Sequence, residues 1–241
     1  MDQPTSKTPH ATVPERTVVQ PPVPSAAVAD YADTSLKLGN RKVITDYYFD
    51  QNVAEQSSKY AQTIFIRLNA RKKLRFEKVS FKQCVFDGCY VNNCSFDSCD
   101  FTGCRFIGSN FHQSSFVECK FDYATFERTQ IDDDILISEA PREENLRMRF
   151  ARSLRMNYSQ IGDAKAVNAA ITVELEAIET YLKKSWQLDE TYYKIKYPGR
   201  KAVKQFFRWS HFKALDFIWG NGESVIKLLR SLLLCIVAMT L

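Results

Sequence analysis

Six of the seven cysteines fall between Cys84 and Cys119, and Cys84, Cys89, Cys94, Cys99 and Cys104 follow one another at every fifth residue. Four thiols gathered in one place could hold zinc, and two could form a disulfide. The spacing argues for neither. It runs on through Ser109, Ser114, Cys119, Ala124 and Thr129, so the position asks for a small side chain and takes a thiol as one. The three histidines, His10, His112 and His211, have no nucleophile at a recognisable spacing, and no phosphate-cradling or dinucleotide glycine motif occurs. Asp132, Asp133 and Asp134 read as a solvated run. No catalytic residue, metal or cofactor is expected.

A second column, two residues further on, positions the cysteines. Phe76, Phe81, Phe86, Val91, Phe96, Phe101, Phe106, Phe111, Phe116, Phe121, Phe126 and Ile131 hold one five-residue phase, and Leu74 and Val79 open the small column beside it. A period of five fits neither a helix nor a strand, so the chain must turn once per repeat. With both columns pointing inward, each coil fills its centre with rings stacked on those twenty residues away, and the small column leaves them room. Cys84 and Cys104 then stack with parallel Cβ directions, which is poor geometry for a bridge. The remaining positions, such as Lys78, Gln83, Asn93, Asp97, His112 and Glu127, are polar, as a water-facing surface requires. No outward apolar column at twenty-residue intervals is visible among them.

This pattern resembles the pentapeptide-repeat proteins, in which a small residue sits two places before a Phe or Leu. The resemblance covers residues 74–133. It implies a right-handed quadrilateral β-helix with four pentapeptides per coil, hence about three coils over residues 74–134. Open ends of such a stack expose unpaired backbone groups, so residues 41–73 are expected as an N-terminal cap and a further element is needed after Ile131. Some members of that family mimic DNA and bind topoisomerases, which requires a long acidic rod. Between Arg75 and Arg128 six basic residues meet seven acidic ones, so a DNA-mimic modulator of a topoisomerase, like a soluble protein-binding module, is the alternative reading only.

Around the repeats the chain is a mosaic of the α+β class. Six of the eight prolines lie in residues 1–40, which show no periodicity and no apolar leader and are expected as a disordered tail. From Glu143, the spacing of Leu146, Phe150, Leu154 and Tyr158 predicts a helix. Asp163 is placed to cap a second one with the face Val167, Ile171, Leu175, Ile178, Leu182 and Trp186, making a helical hairpin over 143–188. Residues 189–224 form a basic aromatic segment, an amphipathic helix whose Lys204, Phe207, Arg208, Trp209, Phe212 and Trp219 suit a membrane interface. The net charge of +5 is concentrated there: nine Lys/Arg face Asp216 and Glu223 between Lys194 and Arg230. Residues 225–241 end in eleven uncharged ones and are expected as the start of a transmembrane helix, short of the ~20 apolar residues a full span needs.

Asn145-Leu146-Arg147, Leu154-Arg155, Gly162-Asp163, Glu174-Leu175-Glu176 and the run from Leu215 through Trp219-Gly220-Asn221-Gly222-Glu223-Ser224 add a second likeness. They are similar to the linker of bacterial pentapeptide-repeat proteins that continue into transmembrane helices, in several of which the membrane part is similar to a two-helix potassium-type ion channel. This resemblance implies a non-enzymatic, membrane-anchored protein whose repeat domain is a rigid interaction or sensor module on the cytoplasmic side. Its implied partners are membrane lipid, an unknown protein and further copies joined through the membrane part, with no nucleic acid. The sequence contains no pore helix and no carbonyl filter, so conduction is not expected of these residues.

Overall fold

Between Lys78 and Arg128 every fifth residue has a positive φ, from 47° to 71°, and the chain turns there. Only Gly88, Gly103 and Gly108 among these are glycines, so side chains such as Glu118 and Tyr123 hold a left-handed conformation that the stack imposes. The computed structural model describes residues 41–56 and 59–240, and the tail expected over 1–40 lies outside the described residues.

Between the turns run short parallel strands: β1 (Lys42–Thr45), β2 (Tyr48–Phe49), β3 (Val53–Ala54), β4 (Thr63–Ile66), β5 (Asn69–Ala70), β6 (Arg75–Glu77), β7 (Val85–Asp87), β8 (Ser95–Asp97), β9 (Arg105–Ile107), β10 (Ser115–Val117) and β11 (Thr125–Glu127). One side of the stack is the sheet β1-β4-β7-β9-β11, and a second is β3-β6-β8-β10. A third is β2-β5, continued by single bridges from Asn69 to Tyr90, Asn110 and Gln130; the fourth is held by bridges from Ser80 to Asp100 to Lys120. The result is a β-solenoid of about four turns.

The expectation of three coils behind a cap is thus corrected. Residues 41–73 add rungs to the same sheets: Ile44 pairs with Phe65, and Phe65 with Phe86. The extra turn is hidden because its register is irregular. Phe65 to Phe86 is a step of 21 residues, whereas Phe86 to Phe106 is 20, and Val53 to Phe76 is 23. One additional residue lies between Ala70 and Phe76, within Arg71-Lys72-Lys73, and it breaks the phase that makes the later repeats legible.

After the solenoid come α1 (Ile135–Ser138), α2 (Glu144–Ile161), α3 (Ala164–Gln187), α4 (Thr191–Lys196), α5 (Arg200–Trp219), a 3-10 turn at Gly220–Gly222 and α6 (Val225–Thr240). The α2 face Leu146, Phe150, Leu154 and Tyr158 is buried as expected. Gly162, at φ 78°, ends α2, and Asp163 begins α3 by accepting the Ala166 N–H at 3.0 Å. The expected α3 face is rotated over most of its length: Ala166, Ala170, Val173 and Ala177 are buried, whereas Val167, Ile171, Leu175, Ile178 and Trp186 are half-buried, and of the expected face only Leu182 is buried. Small residues let α3 approach α2 closely, and the larger aliphatics flank that contact. Within the contact the Glu174 carboxylate, almost fully buried, meets Arg152 at 2.8 Å and Arg155 at 3.0 Å. Among the described residues no helix is long and apolar enough to cross a membrane. The sixteen residues of α6 reach ~24 Å against a hydrocarbon core of ~30 Å.

Candidate functional site

Three parts of the molecule could act: the solenoid interior, its outer surface and the C-terminal helices. The interior is a column of stacked rings. Phe65, Phe86, Phe106 and Phe126 follow at 5.2, 5.1 and 4.8 Å with interplanar angles of 18°, 5° and 5°. Phe76, Phe96 and Phe116 stack at 4.8 and 5.0 Å, and Phe81, Phe101 and Phe121 at 5.2 and 5.0 Å. Rings of adjacent sides meet edge to face, as Phe106 and Phe111 do at 88°. Phe81, Phe111 and Phe121 are as buried as the rest.

The small column shares that interior. Cys84, Cys89, Cys94, Cys99, Cys104 and Cys119 are all buried free thiols. Each S–H points to a carbonyl of the turn before it, for example Cys84 to Tyr60 and Cys104 to Phe81, both at 2.8 Å. Ser109 and Ser114 do the same, donating to Phe86 at 3.1 Å and Val91 at 2.8 Å, and their hydroxyls also accept the N–H of Cys89 and Cys94. Burial pushes the Cys89 thiol up to about 11 and raises Cys94 and Cys104 as well. Shielded from solvent by the ring stack, the six thiols are poorly placed to act as nucleophiles or metal ligands. Sealing the core is their role.

The last rung would present bare N–H and C=O groups, and side chains of the helices cover them. Ser153 Oγ accepts the Phe126 N–H at 2.9 Å, and Gln160 Oε1 accepts that of Arg128 at 2.9 Å. Between them Asn157, fully buried, accepts from Thr129 N–H at 2.7 Å and donates to Thr129 C=O at 2.8 Å. These three residues, one helical turn apart on α2, replace a strand. Glu139 Oε2 accepts the Cys119 N–H at 2.6 Å on another side, and burial raises the Glu139 carboxyl. Phe150 completes the seal, its ring 5.8 Å from Phe121 and 6.0 Å from Phe126. Nothing in the sequence singles out Ser153 and Gln160, because polar residues one turn apart on a helix usually face water.

The outer surface divides by charge. Residues 41–82 carry ten Lys/Arg and four Asp/Glu, a net of +6, whereas residues 83–134 carry three and nine, a net of −6. Arg67, Arg75 and Lys82 are tied to Asp46, Asp97 and Asp100, while Arg71, Lys72 and Lys73 stand exposed at the extra residue. An outward apolar column is present after all. Val43, Ile64 and Val85 lie in register and half-buried on one side, at steps of 21 that a search at twenty misses.

The C-terminal helices reverse the burial pattern. Val225, Ile226, Leu229, Leu232, Leu233, Ile236 and Met239 of α6 are exposed, and α6 has no buried residue. It is tied to α5 at its base alone: Lys227 Nζ lies 2.9 Å from Asp216, Arg230 covers the Phe217 ring at 4.5 Å, and Ser231 donates to the Ile218 carbonyl at 2.7 Å. Of the residues expected at a membrane interface, Lys204, Phe207, Arg208 and Trp219 are exposed. Trp209 and Phe212 are half-buried, the Trp209 ring lying 5.6 Å from Trp186 of α3. The expectation missed Val203 and Ile218, both exposed on α5.

Residues 74–114, and again 96–136, match the family model described as pentapeptide repeats (9 copies). No curated protein matches the chain.

Proposed function

We propose that this chain, which carries a pentapeptide-repeat domain, is a non-enzymatic interaction module anchored to a membrane by its C-terminal helices. The observation that carries the anchoring is α6, a helix apolar from Ser231 onward and, from Leu232 to Thr240, exposed on every side. Helices apolar all round are covered in a working protein, by a core or by lipid, and no described residue covers this one. The positive segment before it fits the side of a membrane that retains Lys and Arg, and this supports a cytoplasmic position for the solenoid. The solenoid supplies a rigid surface and no chemistry, since its thiols are sealed and its polar groups face out. A DNA-mimic role suits the surface poorly, because the first two turns are basic where a mimic must be acidic.

Flotation tests the anchoring. Full-length protein mixed with phospholipid vesicles is expected to rise with them through a density gradient, and recovery of the protein entirely in the lipid-free fractions would remove this reading.

A further inference from the structure

The two faces of α5 differ sharply. Toward α3 it presents Gln205, which is buried, with Ala202, Trp209, Phe212, Lys213 and Asp216 half-buried. Away from α3, Val203, Phe207, Ala214 and Ile218 recur at steps of four, seven and four and are all exposed, Phe207 at 65% and Val203 at 55%. Those steps place them on one stripe of a helix. Beside the stripe, Arg200, Lys204 and Arg208 recur at every fourth residue, also exposed. The ion pairs of α5, Lys213 with Glu179 and Asp216 with Lys227, leave these three cations out.

We propose that α5 lies flat on an anionic phospholipid surface, with Val203, Phe207, Ala214 and Ile218 dipping below the headgroups and Arg200, Lys204 and Arg208 set against their phosphates and carboxylates. This rests on the membrane-anchored reading, and it names the lipid class. An apolar stripe edged by one row of unpaired cations is the pattern of a helix in the plane of a charged interface. A protein partner would have to bury carboxylates opposite all three cations while covering four apolar side chains. A lipid surface meets both demands with a single layer of molecules. The base of α6 is tied to the last turn of α5, so insertion of α6 brings the stripe to the bilayer.

The test uses the full chain and two kinds of vesicle, phosphatidylcholine alone and a mixture in which about a third of the lipid is phosphatidylserine. All three tryptophans, Trp186, Trp209 and Trp219, belong to this region, so intrinsic emission reports its contact with lipid. Binding to anionic vesicles at low salt is expected to exceed binding to neutral ones by on the order of a hundredfold, the contribution of three cations near such a surface. Changing Arg200→Glu, Lys204→Glu and Arg208→Glu together is expected to abolish that preference. Far-UV circular dichroism should stay unchanged, because all three side chains are exposed. Phe207→Ser should weaken binding to both vesicles about tenfold. Equal, salt-insensitive binding to the two vesicles would overturn the lipid-class inference and leave the anchoring intact, as would a triple variant that keeps the preference. Failure to bind either vesicle would remove both. Lipid-free protein whose α5 amides become protected from hydrogen exchange as its concentration rises would assign this face to a second copy of the chain and overturn the proposal.

Discussion

Phenylalanine meets opposite fates in the two halves of this molecule. Phe101 in the solenoid is 0% exposed and touches rings above, below and beside it, whereas Phe207 on α5 is 65% exposed. The difference lies in what the neighbouring residues allow. In the solenoid a small residue two places earlier and a turn every five residues place each ring over another, so burial is complete within the chain. In α5 and α6 the spacing is helical, and the described chain covers one face of α5, against α3, and only the base of α6, against α5. What remains apolar must find its cover elsewhere.

The largest effect that would sharpen this contrast comes from Phe101→Asp. It removes the centre of a stack and leaves a carboxylate without a partner in an aromatic core, so a loss of more than about 5 kcal/mol is expected. The cooperative thermal transition of the solenoid should disappear. Phe101→Leu, which keeps the site apolar, should lower stability by only about 1 to 2 kcal/mol. A Phe101→Asp protein that melts like the parent would mean that the rings do not bear the fold.

Next comes the seal at the last rung. Asn157→Ala removes both hydrogen bonds to Thr129 and leaves a buried N–H and C=O unpaired, with an expected cost of about 3 kcal/mol by urea unfolding. Ser153→Ala and Gln160→Ala, nearer the rim, should each cost less, about 1 kcal/mol. If all three cost the same, the surrogate-strand account of α2 is wrong.

Legibility followed regularity. From Phe76 to Ile131 the five-residue phase is unbroken, and the ladder, its inward direction and the role of the cysteines could be read from it. The stretch 41–73 could not, because steps of 21 and 23 replace 20 and its inward residues are as different as Ile44, Phe49, Tyr60 and Ala70. Left-handed turns at Gln83, Glu118 and Tyr123 leave no mark in the sequence either, since glycine is absent where it would be looked for. The basic aromatic character of α5 was readable, but not which aromatics face out: Trp209 and Phe207 are two residues apart and lie on different faces, a division decided by where α3 packs.

A smaller effect separates sealed from exposed groups by pH. Burial moves the Cys89 thiol from the usual 9.0 to about 11. Between those values the unfolded chain has already lost a proton that the folded chain keeps. Stability from this group is therefore complete below pH ~9 and declines as pH rises toward ~11, at about 1.4 kcal/mol per unit. Cys89→Ser should flatten urea-unfolding stability over that window relative to the parent, and it should still fold, because Ser109 and Ser114 occupy equivalent positions. Identical pH slopes for the two proteins would show that the thiol is not sealed.

The smallest effect on folding is expected where the same kind of substitution is made outside the solenoid. Leu233→Asp places a carboxylate on α6, at a residue 61% exposed. With no core to disturb, the change in folding stability should stay within about 0.5 kcal/mol, in contrast to the collapse expected for Phe101→Asp. Its effect belongs to association instead: a charge set among Leu229, Leu232, Ile236 and Val237 raises the cost of entering hydrocarbon by about 3 kcal/mol, enough to lower vesicle binding by two orders of magnitude. The opposite pairing, a protein destabilised by Leu233→Asp yet bound to vesicles as before, would mean that α6 completes a protein core, and the division of labour between a self-sufficient solenoid and a lipid-dependent C-terminus would fail.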